Sequence, residues 1–157
     1  MFDFKEMDRR SAKKIAEWKY GEEYSYCDFN GWEKEKKELA SGLYFAAFKE
    51  GILSGFICFG QAAQWPDESL EEIYKDESYT DIAMGLAPEL CGLGLGSQFL
   101  KDCMCFARKF FPDDGIRVSV DARNIRAEKL YVREGFKLVT RATFTYREDI
   151  KIYTFDF

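Results

Sequence analysis

The chain has 157 residues, of which 46% are hydrophobic and 17% aromatic, and its formal net charge is −5. This length suits a single domain over residues 1–157, and the hydrophobic content excludes an intrinsically disordered chain. The acidic balance argues against a nucleic-acid-binding protein, because such proteins cluster Lys and Arg to neutralise phosphates. The same balance is compatible with cationic substrates.

Membrane, secreted and metal-dependent classes are also disfavoured. No apolar stretch approaches the ~20 residues of a membrane span, and residues 1–6 lack the charge order and apolar core of a signal peptide. Histidine is absent, and the five cysteines match no zinc or disulfide spacing. We therefore expect a cytoplasmic protein with free thiols, no membrane partner, no metal and no histidine-dependent catalytic pair.

The first part of the chain predicts a strand, two helices and a hairpin, in that order. Hydrophobic spacing assigns the strand to residues 2–6, the helices to 11–20 and 32–40, and the hairpin strands to 43–49 and 52–59. The first helix would carry Tyr20 on its apolar face. The Glu50-Gly51 pair between the hairpin strands suits a tight turn.

After a surface excursion over residues 61–79, the rest of the chain alternates strands and helices. Residues 61–79 contain Trp65-Pro66-Asp67 and an acidic helical piece, which predicts a surface segment. The remaining strands are predicted at 81–86, 116–121, 137–146 and 150–157, and the helices at 95–110 and 124–134. Gly135 should end the last helix in a Schellman cap, with Phe136 making the apolar contact. The order β-α-α-β-β-β-α-β-α-β-β predicts an α/β or α+β domain with a mixed sheet.

Apolar residues alternate with Arg117, Ser119 and Asp121 over residues 116–121, which predicts a strand.

The run from Pro88 to Gly96 is the most informative feature of the sequence. Its glycines, Gly92, Gly94 and Gly96, occupy alternate positions at the junction between a predicted strand and a predicted helix. Without a Cβ, each lets a ligand lie against the backbone. The N–H groups of the helix's first turn and the helix dipole attract an anion to that place. The turn therefore predicts a phosphate-binding loop, and the alternative is a glycine-rich connection without a ligand.

A Rossmann dinucleotide site is the main competing explanation for these glycines. Its motif is Gly-x-Gly-x-x-Gly in the first strand-helix unit, with an acidic residue about twenty positions further on. Here Ser97 takes the place of the third glycine and the loop lies in the middle of the chain. A Walker-type loop does not fit either, because no Gly-Lys-Ser/Thr follows.

Two segments together resemble the GNAT N-acetyltransferase superfamily. Residues 86–96 (LAPELCGLGLG) resemble its acyl-CoA pyrophosphate loop, usually written Gln/Arg-x-x-Gly-x-Gly/Ala. Residues 124–136, with Asn124, Ala127, Tyr131 and Gly135-Phe136, resemble the helix after the next strand of that family. The element order matches along nearly the whole chain. Cys91 departs from the pattern, since it stands where the family usually has Gln or Arg, a position that donates mainly through its backbone N–H.

The resemblance implies a single GNAT-like domain over residues 1–157, with a mixed, mostly antiparallel sheet flanked by helices. It implies an acyltransferase that moves an acetyl group from acetyl-CoA directly to a primary amine on a small molecule or peptide, and it is compatible with a homodimer. Pantetheine would pair with the backbone of Met84 and Leu86. The pyrophosphate would bind the loop formed by Cys91, Gly92, Leu93, Gly94, Leu95 and Gly96. The alternative is a non-catalytic acyl-CoA-binding module, a sensor or partner subunit.

Tyr131 is the predicted proton donor to the leaving thiolate, with a core tyrosine as the alternative. A phenol with a pKa of about 10 can donate a proton without being ionised at neutral pH. Asn124 lies seven positions earlier, about two helical turns, so both side chains project from one side of the helix. Asn124 is expected to cap the helix, to contact the cofactor, or to do both.

Asp81 is the candidate general base, because members of the family often carry a carboxylate near this position. A surface or capping role is the alternative. Ser119 sits where some members place a glutamate, which closes that route, and Asp121 is a second candidate on the same face. Water relays or backbone carbonyls are a further route for deprotonation.

The acceptor pocket, by the same resemblance, is built from the first helix, the loop after it and the last hairpin. Six aromatic residues lie between residues 18 and 32, with three acidic residues among them: Trp18, Tyr20, Tyr24, Tyr26, Phe29 and Trp32, with Glu22, Glu23 and Asp28. Aromatic faces with nearby carboxylates can hold an ammonium group. The alternative is ordinary core aromatics beside a solvated acidic loop.

Overall fold

A computed structural model describes residues 1–144 and 149–157. The helices and strands within these residues are β1 (Asp3–Glu6), α1 (Arg9–Ala16), α2 (Trp32–Leu39), β2 (Tyr44–Lys49), β3 (Ile52–Phe59), α3 (Glu71–Tyr74), β4 (Tyr79–Leu86), α4 (Gly96–Ala107), β5 (Gly115–Asp121), α5 (Ile125–Arg133), β6 (Lys137–Ala142) and β7 (Ile150–Phe155). The predicted element order is confirmed, and α3 is the acidic helical piece of the excursion. The predicted strand 137–146 extends to Thr145 and Tyr146, which lie outside the described residues.

The strands follow the sheet order β1-β2-β3-β4-β5-β7-β6, and most neighbouring pairs are antiparallel. The predicted mixed, mostly antiparallel sheet with helices is confirmed. The chain divides into two compact units, Met1–Cys58 with Met84–Cys103, and Phe59–Ala83 with Met104–Phe157. Strand β4 contributes to both. A single domain over residues 1–157 stays a prediction.

The first unit contains the predicted hairpin. Strands β1, β2 and β3 pair antiparallel, and the turn between β2 and β3 has positive φ at Glu50 (+52°) and Gly51 (+78°). Such angles suit the right-handed twist of two-residue hairpins. The largest side chains of this unit that are at most 1% exposed are Ile15, Leu39, Ile57, Phe99 and Leu100. Burying each such side chain contributes roughly 1.5–3 kcal/mol.

Helix α1 is shorter than predicted. It begins after Asp8, whose carboxylate accepts the Ser11 N–H at 2.7 Å, and it ends at Ala16 rather than at Tyr20. The Tyr20 N–H donates instead to Asp28 Oδ1 at 2.8 Å. Because this donor is used by a side chain from outside the helix, Tyr20 leaves the predicted apolar face and lies in the loop that follows.

The second unit contains the remaining sheet and α5. Parallel pairing of β4 with β5 covers three residue pairs, from Tyr79 with Gly115 to Asp81 with Arg117. Strand β7 pairs antiparallel with both β5 and β6. Four side chains form one buried cluster in this unit: Leu70, Ala142, Ile150 and Ile152.

The end of α5 is the predicted Schellman cap. Gly135 has a φ of +93°, and the Phe136 N–H donates to the Tyr131 carbonyl at 3.0 Å. The rings of Phe136 and Tyr131 pack with their centroids 5.3 Å apart, which supplies the apolar contact of the motif. The cap therefore uses both the backbone and the ring of Tyr131.

Candidate functional site

The glycine-rich loop presents bare backbone just before α4. Gly92 and Gly94 have φ of +79° and +78°, in the left-handed region that favours glycine, and nothing lies within 4 Å of the place a Cβ would take on either residue. Helix α4 begins at Gly96, so its first-turn N–H groups, which have no acceptor within the helix, follow directly. These features fit the pyrophosphate of acetyl-CoA, because an anion can approach the backbone without meeting a side chain.

Cys91 is turned back toward the end of β4. Its thiol lies 3.6 Å from the Ala87 carbonyl oxygen and 3.9 Å from that of Leu86. Its backbone N–H donates to the Pro88 carbonyl at 3.2 Å. The backbone donor expected at this position is therefore used within the turn, and a contact between Cys91 and the cofactor stays a prediction.

The last residues of β4 direct alternate backbone groups to β3. The Ala87 N–H donates to the Ser54 carbonyl at 2.8 Å, and the Gly85 carbonyl oxygen lies 2.7 Å from where a Cβ on Gly55 would be. Backbone groups alternate in direction along a strand, so those of Met84 and Leu86 point away from β3. This orientation matches the predicted pairing of Met84 and Leu86 with pantetheine.

Gly85 makes room for two rings. A Cβ at this position would lie 2.5 Å from Phe56 Cε1 and 3.2 Å from the Tyr20 hydroxyl oxygen. The Tyr20 hydroxyl donates to the Leu86 carbonyl at 2.9 Å. The loop after α1 therefore contacts the end of β4 directly, a contact that the sequence analysis did not predict.

The aromatic residues of the segment 18–32 are partly core. Trp18 and Phe29 pack against Phe56, with ring centroids 6.4 and 5.5 Å apart. Tyr24 and Tyr26 pack against each other at 6.2 Å. These contacts give the aromatics a packing role, whether or not they also bind a ligand.

The charged and outer residues of the same segment differ in their surroundings. Asp28 lies 3.8 Å from Lys19 Nζ, and the Arg9 guanidinium lies 6.0 Å from the centre of the Trp32 ring. Glu22 and Glu23 are exposed. Of the three acidic residues in the segment, these two are therefore the accessible ones.

Asp81 lies in a buried ion pair in the second unit. Its Oδ1 accepts from Arg117 Nε at 2.7 Å, and its Oδ2 accepts from Arg117 Nη2 at 2.7 Å and from Gln64 Nε2 at 2.9 Å. Asp81 and Arg117 are 5% and 1% exposed. Both carboxylate oxygens are already hydrogen-bonded, so this geometry favours a structural role; the role of Asp81 as a general base stays a prediction.

Arg117 also holds the segment before β4. Its Nη1 donates to the carbonyls of Ile73 (2.5 Å) and Asp76 (3.1 Å), and its Nη2 donates to that of Tyr74 (3.3 Å). These acceptors and Asp81 satisfy the Arg117 guanidinium inside the protein, an arrangement that the alternating pattern of this strand does not indicate.

Ser119 and the second candidate base, Asp121, have partners as well. The Ser119 hydroxyl is hydrogen-bonded to the Tyr74 hydroxyl at 2.7 Å. Asp121 accepts from Arg123 Nε at 3.0 Å and Nη2 at 2.7 Å. Neither arrangement tests catalysis, and Asp121 stays a prediction.

Asn124 precedes α5 in the second unit, and Tyr131 lies within that helix. The Asn124 side chain accepts the Ala127 N–H at 3.1 Å, which confirms the predicted N-cap. Tyr131 is 7% exposed, and its ring packs against Phe136 and, at 6.4 Å, against Tyr153. The packing role of Tyr131 is therefore real, while its role as proton donor and the cofactor contacts of both residues stay predictions.

A charged cluster lies beside Tyr131. Glu128 accepts from Lys151 Nζ at 2.5 Å and from the Tyr153 hydroxyl at 2.8 Å. The Lys151 hydrogen bond lowers the pKa of Glu128, and burial raises the pKa of Tyr153 above its usual range. Glu128 therefore stays ionised and Tyr153 stays protonated through neutral pH.

The part of the chain that the structure describes has neither a metal-binding cluster nor a membrane-crossing helix. Residues 1–144 and 149–157 contain no group of three or more His, Cys, Asp and Glu side chains placed to hold a metal. None of the helices in those residues has the length and apolar character needed to cross a bilayer.

Comparisons with known proteins identify relatives of this fold. The acetyltransferase (GNAT family) from Bacillus anthracis has a TM-score of 0.72 at 12% identity, over 98% of this chain and 93% of that one. A chimera of the spermidine N-acetyltransferase SpeG from Vibrio cholerae and hSSAT has a TM-score of 0.70 at 14% identity, over 98% and 93%. The Salmonella typhimurium protein yncA, solved with its cofactor acetyl-CoA, has a TM-score of 0.61 at 14% identity, over 98% and 92%.

These identities show a shared fold. No curated protein sequence matches the chain significantly. Residues 7–136 match the model of the Acetyltransferase (GNAT) family. Because that match spans most of the chain and includes both the glycine-rich loop and α5, the protein belongs to the GNAT acetyltransferase family.

Proposed function

We propose that the protein transfers an acetyl group from acetyl-CoA to a primary amine. The observation that carries this proposal is the open backbone at Gly92 and Gly94, immediately before α4, in a chain of this family. The loop Cys91, Gly92, Leu93, Gly94, Leu95 and Gly96 would bind the pyrophosphate. Acetyl-CoA supplies the activated acetyl group as a thioester.

The end of β4 would orient the rest of the cofactor. The backbone groups of Met84 and Leu86 point away from β3, which supports their pairing with the amides of pantetheine. The main contribution expected from this strand is to hold the thioester in a fixed position for attack by the amine, because well-oriented reactants react far faster than freely diffusing ones.

The reaction forms a C–N bond and breaks the C–S bond of the thioester. The amine nitrogen loses a proton, and the leaving thiolate gains one. We assign proton donation to the Tyr131 hydroxyl and keep Asp81 as the candidate base, with water or a backbone carbonyl as the other route. Asn124 caps the helix that carries Tyr131 and is the further candidate for a cofactor contact.

The proposal includes a cytoplasmic location, a possible homodimer and the kind of molecule that carries the amine. All five cysteines lie within the described residues and are free thiols, which suits a reducing cytoplasm. A homodimer remains compatible with the fold of the chain, and a small molecule or peptide would carry the acceptor amine.

The primary test combines binding and turnover. Calorimetry should detect acetyl-CoA binding to the purified chain, and a panel of amines should release free CoA, read with a thiol reagent after subtraction of the protein's own cysteines. Binding without release from any amine would favour the non-catalytic acyl-CoA module. Absence of binding would refute the proposal.

Tyr131→Phe tests the proton donor. Turnover should fall at least tenfold while acetyl-CoA affinity is retained, because general acid catalysis typically contributes ~10²–10⁴-fold. Steady-state kinetics and calorimetry provide the measurements. Tyr153→Phe is the matched control, since it removes the hydroxyl of the neighbouring ring and should keep turnover within about twofold of wild type. Equal rates in wild type and Tyr131→Phe would leave Tyr131 as a packing residue.

Replacing Glu22 and Glu23 together by Gln tests the acceptor segment. We expect the KM for the amine to rise several-fold, because two exposed carboxylates near aromatic rings can attract an ammonium group. The KM for acetyl-CoA should stay unchanged. A double Glu68→Gln, Glu71→Gln variant changes the net charge equally at two exposed positions of the excursion and should leave both constants alone. Turnover confined to neutral or acidic acceptors would contradict this assignment.

A further inference from the structure

The hydroxyl of Tyr20 connects two segments that are 66 residues apart in sequence. It donates to the Leu86 carbonyl at 2.9 Å, at the end of β4. Tyr20 itself lies in the loop after α1, between Trp18 and Phe29, both of which pack against Phe56. One hydrogen bond therefore joins the aromatic segment to the strand that precedes the glycine-rich loop.

The surroundings keep the Tyr20 hydroxyl protonated, so that it remains a hydrogen-bond donor. Tyr20 is half-buried, and burial, followed by the nearby thiols of Cys91 and Cys27, raises its pKa above the usual range of a tyrosine. The phenol therefore remains a protonated donor throughout the neutral and mildly alkaline range. A carbonyl oxygen has two lone pairs, and the second donor near that of Leu86 is the Cys91 thiol at 3.9 Å, a weak contact that a pantetheine amide can replace.

Two further contacts fix the position of Tyr20. Its backbone N–H donates to Asp28 Oδ1 at 2.8 Å, which closes the loop from residue 20 to residue 28. Gly85 lets the ring approach, since a Cβ there would lie only 3.2 Å from the Tyr20 hydroxyl oxygen. Tyr20 is thus held at its backbone by its own loop and at its hydroxyl by β4.

We propose that Tyr20 is a positioning residue for the acceptor amine, because it anchors the segment 18–32 on the Leu86 carbonyl. The inference rests on the proposed function, in which Leu86 pairs with pantetheine and the segment 18–32 binds the amine. The Leu86 carbonyl would then contact both the cofactor and the residue that anchors the amine-binding segment. It would therefore set the distance between acetyl-CoA and the amine. Tyr20 acts through the loop that it holds and touches neither reacting atom.

Tyr20→Phe tests this role. The KM for the amine should rise roughly fivefold to tenfold, the usual effect of one lost hydrogen bond, while kcat and the Kd for acetyl-CoA change less than twofold. Hydrogen exchange at the backbone amides of residues 20–28 should become faster, with or without acetyl-CoA. Tyr44→Phe is the matched control, because Tyr44 is a buried tyrosine of the same unit whose hydroxyl donates to Glu38 at 2.7 Å.

The outcomes separate the two proposals. Failure of the wild type to bind acetyl-CoA or to acetylate any amine would refute the proposed function, and unchanged exchange at residues 20–28 in Tyr20→Phe would independently refute the anchoring. An unchanged amine KM, or an equal rise in Tyr44→Phe, would overturn the positioning role. Asp28→Ala releases the other end of the anchor and should raise the amine KM in the same direction; no rise there would also count against it.

Discussion

Replacing Gly94 by Asp is expected to weaken acetyl-CoA binding by more than about a hundredfold. The new carboxylate would meet the negative pyrophosphate where the backbone is now open, and a side chain is strained at a φ of +78°. Losing two charge-assisted hydrogen bonds at about 1.5 kcal/mol each already corresponds to a factor above one hundred. Isothermal titration calorimetry measures the change, and circular dichroism checks that the fold is retained.

Gly42 provides a matched control for this substitution. It has a φ of +85°, nothing lies within 4 Å of the place a Cβ would take, and it belongs to the same unit as Gly94. Gly42→Asp therefore adds the same strain and charge away from the loop, and its acetyl-CoA affinity should equal that of wild type. Equal affinities for Gly94→Asp and wild type would contradict the assignment, and stronger stabilisation by NADH than by acetyl-CoA would favour a dinucleotide site.

Replacing Arg117 by Leu is expected to lower the free energy of unfolding by about 3–5 kcal/mol, the usual cost of leaving one charge of a buried ion pair alone. Asp81, which is 5% exposed in the wild type, would lose its arginine partner, and the carbonyls of Ile73, Tyr74 and Asp76 would lose their donor. Urea unfolding followed by circular dichroism measures the loss. Arg123→Leu breaks the partly exposed pair with Asp121 and should cost less than about 1 kcal/mol. Similar losses in the two variants would show that the buried pair contributes little.

Asp81→Asn then separates the two roles considered for Asp81. A structural carboxylate predicts a lower unfolding free energy and near-normal turnover per folded molecule, assayed well below the unfolding transition. A general base predicts a large loss of turnover in molecules that remain folded. Gln64 and Arg117 surround the side chain in either case, so the comparison rests on the carboxylate alone.

Local patterns in the sequence were sufficient to predict the elements and the loop. Hydrophobic spacing and turn residues encode α5, its Asn124 cap and its Gly135 end, because each depends on residues within a few positions of one another. The exposed backbone at Gly92 and Gly94 is likewise a local property, since left-handed φ values favour glycine. The resemblance to the family followed from these two segments in the right order, and the match of the family model over residues 7–136 confirms it.

Contacts between distant residues could not be predicted in the same way. Alternation predicted the strand that carries Arg117, and only the parallel register with Asp81 shows that its charge is paired inside the protein. Helical spacing placed Tyr20 on α1, whereas bonds to Asp28 and Leu86 hold it in the following loop. In both cases the position of the side chain depends on a tertiary partner, and no pattern within one segment contains that partner.

The contact between Phe56 and Gly85 has a consequence for how relatives of this protein diverge. Phe56 Cε1 occupies space only 2.5 Å from where a Cβ on residue 85 would be, and its ring also packs against Trp18, Phe29 and Tyr44. A larger residue at 85 therefore requires a smaller one at 56, and such an exchange loosens the aromatic segment. Across homologous sequences the two positions should co-vary in size, and changes at 56 should accompany changes in the accepted amine.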